Sequence, residues 1–139
     1  MVERVGFSLK GEEVMDEFYL PEEILEWLSQ KKSEYLSKLI ENMESDDFQF
    51  HEFQQFEEYL PVTLATPDWT TDSILDGQRI KTFGRSFNDG KFFQQVVIGA
   101  LVPDQNKNDV FIPIISFVTK KENLIRLFGE GKLAKQLLN

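Results

Sequence analysis

The chain has 139 residues and a formal net charge of −9, with 41% hydrophobic and 28% charged residues, the balance of a folded domain with its own core. It holds one histidine and no cysteine, which excludes disulfides, thiolate metal centres, cysteine nucleophiles and any mechanism that needs two imidazoles. No apolar run reaches the roughly 18–20 residues that span a bilayer. The opening MVERVGFSLKGEE lacks the basic-then-apolar order of a secretion signal, so the expectation is one cytoplasmic domain over 1–139 with no membrane contact.

Residues 1–20 read as irregular chain with a short edge strand in which Val5, Phe7 and Leu9 alternate with polar residues. Pro21, Glu22 and Glu23 open a helix, with proline in the first turn and two acids at its positive end. Ile24, Leu25, Leu28, Tyr35, Leu36, Leu39, Ile40 and Met43 then recur at three- and four-residue steps. That spacing predicts an amphipathic helix of roughly 20 residues, with Lys31, Lys32, Glu34, Lys38 and Glu41 facing water and Glu34–Lys38 as an i,i+4 pair. Ser45-Asp46-Asp47 breaks it and caps a second helix, apolar along Phe50, Phe53, Phe56 and Leu60. Thr63–Gly77 reads as loop, with turn signals at Pro67-Asp68 and Asp76-Gly77.

From residue 79 the pattern becomes β. Ile80, Thr82 and Phe87 mark a first strand, Asn88-Asp89-Gly90 a turn, Phe92–Val102 a second strand and Val110–Val118 a third. Connections this short predict an antiparallel meander, and Pro113 places its strand at an edge or a bulge. The unbroken apolar runs imply cover on both sheet faces. Thr119-Lys120-Lys121-Glu122 reads as a capping box that launches a helix through Phe128, with a last short helix over Lys132–Leu138. The fold class is therefore α+β: N-terminal helices on a small antiparallel sheet, then C-terminal helices. Charge divides along the same line, with 17 acidic and 5 basic residues in 1–70 against 7 and 10 in 71–139. The reading favours a basic strand face neutralised by the acidic helices.

Candidate chemistry is sparse. His51, the lone histidine, needs a carboxylate or substrate beside it to act as an acid or base. Asp68, Asp72 and Asp76 are spaced like hard-metal donors on a helix, but Pro67, Thr70 and Thr71 argue for turns, so neither metal nor cofactor is expected. Arg79, Lys81 and Arg85 share one strand face with Phe83 and Phe87, the mixture of cations and rings with which small sheets hold RNA.

Residues 51–128, with a histidine-bearing helix, YLPVTLATPDW, IKTFGRS, QQVVIGALV and VFIPIISFVTKKENLI, resemble the phage-associated branch of the barnase/EndoU/colicin/RelE-like nucleases. The resemblance implies helices on a four-stranded antiparallel sheet and metal-independent RNA cleavage through the 2′-hydroxyl. It places His51 as the acid–base residue, Arg85 at the scissile phosphate and Thr119 at the end of the sheet. Asp68 falls in the turn motif, and Arg79 and Lys81 join it as substrate-binding candidates. A degenerate, non-catalytic copy of the fold fits the same pattern. The alternative is an acidic interaction module, of inhibitor or immunity type, that meets a basic protein through residues 41–58.

Overall fold

The computed structural model describes residues 6–7, 13–14, 22–88, 90, 92–103 and 107–129. The expectations for Val5, Leu9, Asp89 and the helix over Lys132–Leu138 lie outside the described residues. The elements in chain order are β1 (Gly6–Phe7), β2 (Glu13–Val14), α1 (Glu22–Asn42), a 3-10 helix (Phe50–Tyr59), α2 (Leu60–Ala65), β3 (Trp69–Leu75), β4 (Gln78–Asn88), β5 (Phe92–Pro103), β6 (Asp109–Thr119) and α3 (Glu122–Gly129). The sheet runs β2-β1-β6-β5-β4-β3, antiparallel throughout, and its body is the meander β3 to β6. The class is α+β. Among the described residues no helix is long and apolar enough to cross a membrane.

The sheet is covered on both faces. Leu28 and Leu39 of α1 and Leu124 and Phe128 of α3 cluster with Ile80, Val96, Ile98, Ile112 and Phe117 on one face. On the other, Leu60 and Leu64 of α2 meet Phe83, Val97, Leu101 and Phe111. Beside them the 3-10 helix seals Phe93 and Val118. A buried polar link joins the layers: the Thr63 hydroxyl donates to Gln95 Oε1 at 2.5 Å, and Gln95 Nε2 donates to the Phe56 carbonyl at 2.8 Å. With its amide so occupied, Gln95 is held at 1% exposure inside an apolar layer.

Pro113 behaves as expected. The β5–β6 register slips between Ile98 and Gly99, leaving Ile114 as the extra residue next to the proline. Gly99 is required at that slip. A Cβ there would stand 2.4 Å from the Phe111 ring and 2.5 Å from the Ile112 carbonyl oxygen, because Phe111 crosses it to meet Phe83 edge-on at 5.0 Å.

Five expectations of local structure need correction. Residues 69–75, read as loop, are the edge strand β3; Asp76 (φ 55) and Gly77 (φ 80) form a two-residue hairpin turn whose twist suits paired strands. The second helix is not α over its first ten residues but 3-10, and only Leu60–Ala65 is α. Ile40 is 59% exposed rather than buried, and Lys31 pairs with Glu34 at 2.9 Å instead of Glu34 pairing with Lys38. Finally, α3 starts at Glu122, so Thr119 lies before its cap and accepts from the Lys121 N–H at 3.0 Å as a local turn.

Candidate functional site: a groove beside a 3-10 helix

Ten residues is long for a 3-10 helix, whose runs seldom pass three or four. The sequence explains it. FHEFQQFEEY repeats an aromatic every three residues, and a helix of three residues per turn puts all four aromatics in one row. Phe53, Phe56 and Tyr59 lie inward: Phe56 meets Phe93 at 4.9 Å and Phe48 at 5.1 Å, Tyr59 meets Phe87 at 4.8 Å, and Phe53 meets Phe117 at 6.4 Å. Such ring pairs add about 0.5–1.5 kcal/mol each beyond burial. The start is fixed by Glu52, whose carboxylate accepts from the Gln49 N–H at 2.9 Å while its own N–H donates to the Gln49 carbonyl at 2.8 Å.

The same period aligns His51, Gln54 and Glu57 in a second row. All three line a groove of about 810 Å³ between α1, the 3-10 helix and the outer side of β6. Beyond Phe111, which pairs with Phe7, no described strand covers that side of β6, so Ile114, Ile115 and Ser116 form a wall of the groove. Lys32 of α1 supplies a cation, Glu58 a further carboxylate, and Phe50, 53% exposed, an aromatic ring that meets Phe53 at 5.9 Å. One groove thus collects an imidazole, carboxylates, an ammonium, a hydroxyl and a ring.

No protein-family model, curated protein or solved structure matches this chain.

The other residues singled out in the sequence are engaged elsewhere. Arg79 makes a two-pronged pair with Asp109 at 3.0 and 3.1 Å, reaching across β5, and Lys81 pairs with Asp72, its register partner on β3, at 3.3 Å. Arg85 Nη1 donates to the carbonyl of Thr66 and, at 2.9 Å, to its hydroxyl, tying the end of α2 to β4. Its guanidinium also lies 5.4 Å from the Phe87 ring. Arg85 sits two strands from β6, on the order of 10 Å before side-chain reach. Asp68 accepts from the Ser86 N–H at 2.7 Å and extends the β3–β4 ladder. Thr119 is fully buried and donates its hydroxyl to Asp47, which also accepts from the N–H groups of Phe48 (2.8 Å) and Lys120 (2.9 Å). The structure brings none of Arg79, Lys81, Arg85, Asp68 or Thr119 to His51.

The basic strand face is real, with Lys81 5.5 Å from the Phe83 ring, but α2 covers Phe83, and Phe87 stacks on Phe93 at 5.5 Å. Arg79 and Lys81 are neutralised by aspartates of β6 and β3, not by the acidic helices, and Arg85 is held by Thr66. Pairs that join the two charge halves occur at Lys121, which meets Asp46 at 2.6 Å, and at Lys31, which meets Asp76 at 3.3 Å. The Lys121 hydrogen bond holds the Asp46 carboxyl below its ordinary range and raises Lys121 in turn. The three aspartates weighed as a metal site lie along an extended strand edge, and Asp72 and Asp76 each pair with a lysine. Among the described residues no cluster of three or more histidine or acidic side chains is placed to hold a metal.

Of the residues that line the groove, His51 was singled out from the sequence as a candidate, whereas Gln54, Glu57, Lys32 and Ser116 were not. The signal for the first two was the three-residue aromatic repeat. For the last two there was none, because their approach depends on how α1 and β6 pack.

Proposed function

We propose that this protein is a nuclease-like α+β protein of the barnase/EndoU/colicin/RelE type whose RNA-cleaving site is the groove at His51. The observation that carries this reading is the position of the sole histidine, in an open groove on the same helical row as Glu57 and opposite Lys32 and Ser116. The chemistry follows from those groups. A carboxylate or the neutral imidazole takes the 2′-hydroxyl proton, O2′ bonds to phosphorus, the P–O5′ bond breaks, and imidazolium returns a proton to O5′. Lys32 offsets the phosphate charge, the part the resemblance gives to Arg85, and Phe50 offers a surface on which a base stacks. The antiparallel body of β3 to β6 with helices against it agrees with the fold that the resemblance implies.

The test is RNA degradation by purified protein with a chelator present. Cleavage is expected to persist with chelator, to fall about 100-fold or more in His51→Ala, within the usual range of acid–base contributions, and to survive in Arg85→Ala. An unchanged rate in His51→Ala contradicts the assignment.

One observation favours the interaction module as a second reading. Glu22, Glu23, Glu26, Glu41, Glu57 and Glu58 have no ion-pair partner among the described residues, whereas most strand cations do. In that reading the groove takes a basic segment of a protein partner. Binding that weakens steeply with salt and is lost in the Glu57→Lys, Glu58→Lys double variant would support it, in a protein that leaves RNA intact.

A further inference from the structure

A second cavity lies on the opposite side of α1, between that helix and strands β3 to β5, with a volume of about 220 Å³. An apolar cavity of about 150 Å³ already admits benzene, so this one has room for a substituted ring. Ile80, Ile98, Leu75 and Phe128 supply its apolar wall. Two features point to a polar ligand. Thr82 lines the cavity, is only 5% exposed as a residue, and has no side-chain hydrogen-bond partner among the described residues, which leaves its hydroxyl free to meet an occupant of the cavity. At the mouth stand Lys31, Glu34 and Lys38. Lys31 is spoken for by Glu34 and by Asp76, at 2.9 and 3.3 Å, and Glu34 by Lys31. Lys38 has no ion-pair partner among the described residues and is the cation left over. Tyr35 also lines the cavity, and burial pushes its hydroxyl above the ordinary range.

We propose that this cavity is a binding site for a small aromatic monocarboxylate that carries a second oxygen at its far end. The ring lies on the apolar wall, the carboxylate meets Lys38 at the mouth, and the far oxygen satisfies Thr82. This site is separate from the His51 groove, so its failure leaves the nuclease reading untouched.

The experiment is calorimetric titration of the full chain with 4-hydroxybenzoate, benzoate and 4-hydroxybenzyl alcohol. The expected order is 4-hydroxybenzoate, then benzoate, then the alcohol, with about tenfold between the acid and the alcohol as the worth of one partly exposed charge contact. Lys38→Glu, an exposed change that leaves the fold intact, removes the preference for carboxylates. Thr82→Val, which keeps the volume, removes the advantage of 4-hydroxybenzoate over benzoate. The proposal is overturned if no probe binds, if all three bind alike, or if either variant keeps the wild-type order.

Discussion

Asp47 and Thr119, 72 residues apart, meet through a buried hydroxyl-to-carboxylate hydrogen bond that fixes the end of β6 to the loop after α1. The second carboxylate oxygen of Asp47 takes the N–H groups of Phe48 and Lys120, so one side chain organises the crossing from one sheet face to the other. Thr119→Val leaves this carboxylate short of a donor and is expected to cost about 1–3 kcal/mol. Urea denaturation measures the loss, and cleavage per folded molecule should not change.

Arg85 is a fastener between α2 and β4. Arg85→Ala removes two hydrogen bonds to Thr66 and the contact with Phe87 and should lower stability by about 1–3 kcal/mol. The guanidinium Nε is buried with no partner among the described residues, which tempers the loss. A drop in RNA cleavage by Arg85→Ala beyond its loss of folded protein would contradict this purely structural role.

The bulge glycine has no room to change. Gly99→Ala forces its methyl against the Phe111 ring and the Ile112 carbonyl, and overpacking of this kind costs about 1–3 kcal/mol. Thermal unfolding checks this, and Gly77→Ala provides a contrast. There the added methyl meets nothing, and only the positive φ of 80° opposes it.

The β3–β4 turn is latched to α1 by acid-sensitive contacts. Trp27 Nε1 donates to Asp76 at 3.0 Å, and this bond, followed by that from Lys31, holds the Asp76 carboxyl below its ordinary value of 3.8. Because the folded value is depressed, the contribution is complete above 3.8 and fades as pH falls through the folded value. Lys31, raised chiefly by its hydrogen bond to Glu34, loses its part only as pH climbs past 10.5. Trp27 emission should therefore hold steady through the neutral range and change on strong acidification. In Asp76→Asn the acid-side change should disappear.

Much of the fold was legible. The apolar spacing of α1 and the long runs of β4, β5 and β6 are local signals, and the structure keeps them with small shifts at their ends. β3 escaped because Thr70, Thr71, Asp72 and Ser73 carry little apolar signal, although its alternating exposure is that of an edge strand. The Phe50–Tyr59 segment was seen as helical but with the wrong pitch, since aromatics at three-residue steps fit one face of either helix over a few turns. The shared face of Arg79, Lys81 and Arg85 was readable from period two. Their partners were not, because Asp72 and Asp109 reach them through strand register. The groove was least legible, as it exists only where β1 stops pairing and the outer side of β6 is left open.

The most direct measurement uses an oligonucleotide that is DNA except for one ribonucleotide, incubated with the protein in chelator, with products resolved by mass. Attack by the 2′-hydroxyl predicts a single cut after the ribose, a 2′,3′-cyclic phosphate on one fragment and a free 5′-hydroxyl on the other. The all-DNA control should stay whole, and His51→Ala should leave both substrates whole. Equal cutting of the all-DNA control, or the same cyclic product from His51→Ala, would contradict a 2′-hydroxyl mechanism centred on the His51 groove.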